Sequence, residues 1–96
     1  LRCATLSGAR ALGLDGKIGA LVPGKRADLI AVNLQRLELS PCYDPVSHLV
    51  YAAGREDVSH VWIDGKPVVQ DGRLLTLDTE ALLATTREWQ QVIASP

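Results

Sequence analysis

Residues 58–75, VSHVWIDGKPVVQDGRLL, contain two Asp-Gly dipeptides, each placed between apolar runs. Both central residues of a type I′ turn need a positive φ, which Asp-Gly tolerates, so this dipeptide is the strongest short-range signal for a β-hairpin. The alternating side chains around the dipeptides predict strands at about 58–64, 67–70 and 73–75. The stretch therefore predicts an antiparallel meander that any fold of this chain has to include.

The first third of the chain predicts one helix and two short extended segments. Residues 4–13 are rich in helix formers and end at a glycine suited to a left-handed cap. Residues 18–22 and 27–34 have extended character, and Pro23-Gly24 marks a turn between them. The helix also carries a stripe of small residues that would allow another element to approach closely, namely Ala4, Gly8 and Ala11.

Two later helices have clear starting signals. Asp44 followed by Pro45 combines a capping carboxylate with a proline at the first helical position, and predicts a helix over about 45–53. Asp78 caps a predicted helix over 79–94. With the meander, these helices predict an α+β chain. The apolar faces are Val46, Leu49, Val50 and Ala53 on the first helix and Leu82, Leu83, Thr86, Trp89, Val92 and Ile93 on the second.

Residues 19–26, GALVPGKR, come within one residue of the phosphate-binding loop G-x-x-x-x-G-K-[ST]. Such a loop needs a strand before it and a helix after it, so that backbone N–H groups face the phosphates. Here a strand follows, and Arg26 replaces the hydroxyl residue that would hold magnesium. We interpret the spacing as coincidence and predict a tight turn with Lys25 and Arg26 solvated.

The histidines and serines do not form a recognisable catalytic or metal motif. His48 and His60 are twelve residues apart, and the chain has no H-x-H, H-E-x-x-H or C-x-x-C. We interpret His48 as a partly buried structural histidine and His60 as a cap on the exposed face of the meander. Ser47 and His48 are neighbours on a helix and do not face each other. No catalytic, cofactor-binding or metal-ligating residue is therefore assigned.

Composition excludes several classes of function. The net charge is -1 with scattered charges, which argues against nucleic-acid binding, and no apolar run is long enough to span a membrane. The chain is expected to be cytoplasmic, with Cys3 and Cys42 as buried thiols rather than a disulfide. Trp62 and Trp89 are expected to pack in a core or between domains. Because the chain has no methionine, we expect it to be a piece of a longer polypeptide.

Four segments, taken in order, resemble the C-terminal end of the metal-dependent amidohydrolases: residues 4–14, 16–34, 43–52 and 58–75. Within them, GK-x-ADL is widespread in that superfamily, whereas DPVSHLVYA is more specific. The second motif is similar to the chlorohydrolase and cytosine-deaminase-like branch, and closest to the methylthioadenosine/S-adenosylhomocysteine deaminases.

The resemblance implies a parent enzyme with a (β/α)8 barrel and a small composite β-sandwich. By this analogy residues 1–14 hold the last helix of the barrel domain. Residues 15–77 supply the later strands of the sandwich, with an inserted helix at about 45–53, and residues 78–96 form a closing helix. The family binds zinc or a similar ion through an H-x-H, two further histidines and an aspartate, and no position here matches those motifs. No cofactor is therefore expected in this stretch.

The favoured hypothesis is a structural fragment, inactive alone, of a hydrolase that acts on non-peptide C–N bonds and deaminates a purine nucleoside or related heterocycle. Its expected partners are the missing barrel, the N-terminal sandwich strands and a second copy of the chain, because open strand edges invite pairing. The alternative is an independent protein-interaction module built on the β-meander. A small enzyme that uses Ser47 and His48 is a third reading.

Overall fold

A computed structural model describes residues 1–95 and has the predicted α+β composition. Three helices accompany one four-stranded antiparallel sheet, in which the strands follow chain order. Short 3-10 turns precede the first helix, follow β1 and precede β2. The bounds are α1 Leu6–Ala11, β1 Leu29–Val32, α2 Pro45–Tyr51, β2 Val58–Ile63, β3 Lys66–Gln70, β4 Arg73–Leu74 and α3 Thr79–Ala94.

The meander confirms the hairpin prediction. Asp64 and Gly65, between β2 and β3, have φ of 54° and 77°, and Asp71 and Gly72, between β3 and β4, have φ of 49° and 76°. Positive φ at both central residues is the requirement of a type I′ turn, whose twist matches that of the flanking strands. Local turn chemistry is therefore sufficient to explain how β2, β3 and β4 meet.

Strand β1 joins the sheet through a long connection, and a side chain sets its register. The Asp28 Oδ1 accepts a hydrogen bond of 2.7 Å from the Asp64 backbone N–H, and the Ala27 carbonyl accepts one of 2.9 Å from Gly65. These bonds place Leu29 opposite Trp62. The aspartate of the ADL segment thus attaches β1 to the first hairpin turn, 36 residues later in sequence.

The first third of the chain differs from the prediction in two places. The first helix is shorter than 4–13, because a 3-10 turn over Arg2–Ala4 precedes α1, although Gly13 has the expected left-handed φ of 70°. The predicted extended segment 18–22 was wrong: it forms bends and no strand. The Pro23-Gly24 turn is present, with Gly24 at φ 91° and Lys25 half-buried.

The loop 18–22 is not a strand because it lies against α1. A Cβ added to Gly19 would be 2.9 Å from Ala9 Cβ, 3.1 Å from Leu6 Cα and 3.3 Å from the Thr5 carbonyl oxygen. The loop is closed by a hydrogen bond of 2.8 Å from the Arg26 N–H to the Lys17 carbonyl. The close approach of this loop to α1 therefore involves Ala9 and not the predicted stripe of Ala4, Gly8 and Ala11. Within that stripe, Gly8 lies against the Cys3 carbonyl of the preceding 3-10 turn.

Both predicted caps are present on the later helices. Asp44 Oδ1 accepts from the Val46 N–H at 3.1 Å, and Asp78 Oδ1 accepts from the Ala81 N–H at 3.1 Å. Helix α3 has the predicted bounds. Helix α2 ends at Tyr51, two residues early, because the N–H groups of Ala52 and Ala53 both donate to the carbonyl of His48.

The chain buries very little of its apolar surface. Within residues 1–95 the buried apolar side chains are those of Ala9 and Leu39, and every residue of α3 is exposed. The accessible surface is 7896 Å², whereas a compact chain of this mass would expose roughly 5,400 Å². The Cα radius of gyration is 17.8 Å, against about 13 Å for a compact domain of this length. The chain by itself therefore has no complete core.

One face of the sheet is a continuous line of aliphatic side chains. The register pairs Ile30 with Val61, Val61 with Val69 and Val69 with Leu74, so these four residues lie side by side across all four strands. We call them the aliphatic row. Ile30 and Leu74, at its two ends, are 55% and 45% exposed. An apolar sheet face of this kind requires a covering layer, which residues 1–95 do not provide.

The predicted burial of the two cysteines was wrong. Cys3 and Cys42 are both exposed free thiols. They lie in a 3-10 turn and in an irregular segment, and neither segment is covered by another layer. No helix among the described residues is long and apolar enough to cross a membrane.

Candidate functional site

The most buried polar group of the chain is the carboxylate of Asp57, which is 3% exposed. Its Oδ1 accepts a short hydrogen bond from the Arg36 guanidinium, and its Oδ2 accepts one of 2.8 Å from the Gly54 backbone N–H. Its backbone carbonyl accepts a third, of 2.8 Å, from Asn33. We call Arg36, Gly54 and Asp57 the Asp57 clasp.

The clasp is ionised at neutral pH. The hydrogen bond from the Gly54 backbone lowers the pKa of Asp57, burial opposes this effect, and the hydrogen bond and charge of Arg36 lower that pKa further. The same pairing raises the pKa of Arg36. Both oxygens of the carboxylate accept hydrogen bonds from protein donors and the side chain is 3% exposed, so we interpret the clasp as a structural group.

The clasp closes the long connection between β1 and β2 at its base. Further along this connection, His48 Nε2 lies 2.8 Å from the carbonyl oxygen of Leu39, whose side chain is buried. His48 on α2 is therefore attached to the preceding 3-10 turn. This contact agrees with the structural role predicted for that histidine.

Sequence reasoning missed the clasp. Arg36 falls in a segment that has no periodic pattern, and its partner is 21 residues away. A local signal does exist at Asp57, which stands three residues after Gly54 and accepts a hydrogen bond from the Gly54 amide at the start of a 3-10 turn. A carboxylate at that position is typical of helix N-termini.

Acidification is expected to destabilise the chain through Asp57. Because the pKa of this carboxyl is lower in the folded state, the unfolded state binds more protons, and the contribution to stability is present at neutral pH and lost as the pH falls through and below about 4. Urea unfolding followed by circular dichroism from neutral to acidic pH measures this loss. In the Asp57→Asn variant this part of the pH dependence should be absent; an unchanged slope would contradict the assignment.

A second polar cluster lies on β2 and the β3–β4 turn. His60 Nδ1 is 2.9 Å from Ser59 Oγ, its Nε2 is 3.8 Å from Asp71 Oδ1, and its ring stacks on Trp62 with centroids 5.5 Å apart. We call these four residues the His60 cluster. The prediction that His60 caps an exposed face was incomplete, because the ring is half-buried under two neighbours.

The order Ser59, His60, Asp71 is superficially that of a nucleophile, a base and an orienting carboxylate. The Ser59 hydroxyl, however, donates its hydrogen bond to the Ala31 carbonyl at 3.3 Å. It therefore accepts a hydrogen bond from His60 rather than donating one. A nucleophilic serine requires the opposite direction. The register explains the contact: Ser59 is the extra residue of a β-bulge between the Ala31 and Val32 pairings.

The described residues do not fit a zinc centre. Nowhere in residues 1–95 do three His, Cys, Asp or Glu side chains come together in a way that could hold a metal ion. His48 contacts a backbone carbonyl, and His60 contacts Ser59 and Asp71. Ser47 and His48, considered together in the sequence, are not brought to a shared partner by any hydrogen bond of the described part.

Residues 1–68 match the profile of the amidohydrolase family. This range includes the clasp, β1, β2 and the first residues of β3. The chain belongs to the amidohydrolase family. The resemblance drawn from the four sequence segments is thereby confirmed.

Amidohydrolase relatives match almost the whole chain. It is 49% identical over 87 residues to a 5-methylthioadenosine/S-adenosylhomocysteine deaminase of Syntrophobacter fumaroxidans. The matched region covers 91% of this chain and 20% of the relative. It is 43% identical over 83 residues to a 5′-deoxyadenosine deaminase of Methanosarcina mazei, which covers 86% of this chain and 19% of the relative. The chain thus spans about a fifth of the length of the curated relatives it matches.

Solved structures of amidohydrolases contain the same arrangement. A crystal structure of an adenosine deaminase from Xanthomonas campestris with bound zinc matches with a TM-score of 0.87 and 49% identity, over 96% of this chain and 21% of that chain. An atrazine chlorohydrolase from Arthrobacter aurescens complexed with zinc matches with a TM-score of 0.79 and 28% identity, over 91% of this chain and 19% of that chain. The second match agrees with the chlorohydrolase-like branch named from the sequence.

Proposed function

We propose that this chain is the C-terminal structural part of a zinc-dependent amidohydrolase that deaminates a purine nucleoside or a related heterocycle. The observation that carries the proposal is the surface left uncovered: the chain exposes 7896 Å², about 2,500 Å² more than a compact protein of its mass. A surplus of that size is typical of a permanent contact, such as one within a larger polypeptide or an obligate complex.

The relatives support the reaction class. Those that match most of the chain have names of deaminases of adenosine-type compounds, and two matching structures contain zinc. In such an enzyme the metal ion would activate a water molecule to attack the substrate carbon. The metal ligands and the substrate pocket would lie in the other four fifths of the protein, because residues 1–95 do not form such a site.

We propose that the chain contributes three segments to the larger enzyme, and that its exposed apolar faces are the surfaces that contact the rest of that enzyme. Residues 1–14 would belong to the barrel domain, 15–77 to the later strands of a composite sandwich and 78–96 to a closing helix. The aliphatic row would contact the barrel or the N-terminal sandwich strands. The apolar face of α3, where Trp89 is 62% exposed and Ile93 is 79% exposed, would pack on the same body. A second copy of the protein is a further proposed partner.

In this role the residues of the chain position surfaces and transfer no protons. The type I′ turns hold β2, β3 and β4 in register, Asp28 adds β1, and the Asp57 clasp closes the connection that carries α2. Burying apolar surface contributes roughly 25 cal/mol per Å², so docking of these faces would stabilise the whole enzyme by many kcal/mol.

Fragment complementation tests the proposal. The Syntrophobacter fumaroxidans relative, shortened by the fifth of its length that matches this chain, is co-expressed with the 96-residue chain, and deamination of 5-methylthioadenosine is measured. We expect the shortened enzyme alone and the chain alone to be inactive, and the pair to recover activity. An Ile30→Lys chain should not complement because it places a charge in the aliphatic row, whereas Gln35→Lys, at an exposed loop position, should behave as wild type.

Each alternative has a distinct outcome in the same experiment. Deamination or stoichiometric zinc binding by the chain alone would contradict the structural role. A compact monomer that neither binds nor activates the shortened enzyme would favour the independent interaction module built on the meander.

A further inference from the structure

The His60 cluster joins two elements that have little else in common. His60 and Ser59 belong to β2, whereas Asp71 belongs to the turn that leads into the two-residue strand β4. The Gly72 N–H, next to Asp71, donates to the Ser59 carbonyl at 3.0 Å. The turn is therefore folded over β2 at the position of the bulge, and His60 lies beneath it.

The hydrogen-bond directions within the cluster determine where the imidazole proton lies. Ser59 Oγ donates to the Ala31 carbonyl, so its lone pairs accept from His60 Nδ1–H at 2.9 Å. In the neutral ring Nε2 then carries a lone pair that faces the Asp71 carboxylate oxygen, 3.8 Å away. In that state His60 Nε2 and Asp71 Oδ1 are both acceptors with no proton between them. Protonation of His60 converts this contact into an ion pair.

Groups from three elements surround the His60 ring. From β2 itself, the Trp62 ring lies 5.5 Å from the imidazole at an interplanar angle of 11°, and an indole face attracts a cation. From β1, the neighbour opposite His60 is the uncharged Ala31. The β3–β4 turn brings Asp71, the uncharged Gln70 and its register partner Arg73, whose positive charge opposes a second cation nearby. The other cation of this hairpin, Lys66, lies at the far end of β3 and pairs with Ile63.

We propose that the His60 cluster is a pH-sensitive tie between the β3–β4 turn and β2. Protonation of His60 adds an ion pair with Asp71, which holds the turn and the short edge strand β4 against the sheet. Deprotonation removes this ion pair, and the hydrogen bond from the Gly72 N–H to the Ser59 carbonyl then holds the turn without it. The inference concerns this fold alone and is independent of the deaminase proposal.

Amide hydrogen exchange of the full chain tests the tie. Exchange at Gly72 is measured from about pH 8 to about pH 5 and corrected for the intrinsic rate, in the range where histidine titrates. We expect protection of Gly72 to rise about two- to fivefold on acidification, as for one partly exposed ion pair. In Asp71→Asn the rise should be absent, and because asparagine tolerates positive φ the turn itself is retained. Asp64→Asn, the same change in the other type I′ turn, should keep the rise.

A second readout reports on His60 directly. In a Trp89→Phe background Trp62 is the one remaining tryptophan, and a protonated imidazole stacked on an indole quenches its fluorescence. Emission should fall on acidification in this background and stay constant when His60→Gln is added. A pH-independent Gly72 protection, or an unchanged rise in Asp71→Asn, would overturn the proposal even if the His60→Gln variant failed to fold.

Discussion

Replacing Asp57 with asparagine is expected to lower the melting temperature of the complex formed by the chain and the shortened relative by about 5 °C or more. The carboxylate is 3% exposed and accepts hydrogen bonds from Arg36 and from the Gly54 backbone. Asparagine has nearly the same volume but carries no charge, so the guanidinium would be left without its anion and one oxygen acceptor would be replaced by a donor. Because the Arg36 side chain is 35% exposed, water offsets part of its loss, and the main cost is the buried amide N–H group of asparagine that would face a donor.

The matched control is Glu38→Gln, which removes a second carboxylate that pairs with Arg36. Glu38 Oε2 lies 3.5 Å from Arg36 Nε, but its side chain is 69% exposed, and exposed ion pairs contribute little. Thermal unfolding followed by circular dichroism should therefore show almost no change for Glu38→Gln. Equal melting temperatures for the two variants would mean that Asp57 does not organise the connection between β1 and β2.

Replacing Gly19 with alanine is expected to destabilise the chain by about 2 to 4 kcal/mol, because two penalties act together. Its φ of 97° lies in a region that residues with a Cβ rarely adopt. The added methyl group would also be 2.9 Å from Ala9 Cβ and 3.1 Å from Leu6 Cα, closer than van der Waals contact allows. The loop 18–22 would have to move away from α1, which would expose Ala9, one of the few buried apolar residues.

Gly16→Ala is the control for this effect, because nothing lies within 4 Å of the added Cβ and Gly16 has no positive φ. It should be neutral or slightly stabilising, since alanine restricts the unfolded chain. Urea unfolding of the two variants, each in complex with the shortened relative, separates the packing effect from the general effect of replacing a glycine. A Gly19→Ala variant as stable as Gly16→Ala would show that the loop does not pack on α1.

The two variants perturb different parts of the molecule. Gly19 lies where the loop packs on α1, the helix proposed to belong to the barrel domain, whereas Asp57 lies directly before β2, next to the sheet. Both positions lie outside the aliphatic row. Combining each variant with the complementation assay would therefore separate loss of folding from loss of docking.

Local patterns predicted the hairpins, the caps and the bounds of α3 because each depends on residues close in sequence. Asp64-Gly65 and Asp71-Gly72 adopt positive φ at the two turns where the chain reverses between strands. Asp44 accepts a hydrogen bond from the amide two residues later, and Asp78 from the amide three residues later. Sequence similarity to the amidohydrolases was equally legible, since it is distributed over the whole chain.

Contacts between distant residues could not be read in this way. The loop 18–22 has the composition of a strand, but the approach of Gly19 to α1 decides its conformation. The pairing of Arg36 with Asp57 and the meeting of His60 with Asp71 depend on how the sheet and its connections fold in three dimensions. Cys3 and Cys42 are exposed for the same reason, because burial depends on the layers present around a residue rather than on its own type. Turns and caps are short-range energetic preferences, whereas burial, loop packing and ion pairing arise only when separate elements meet.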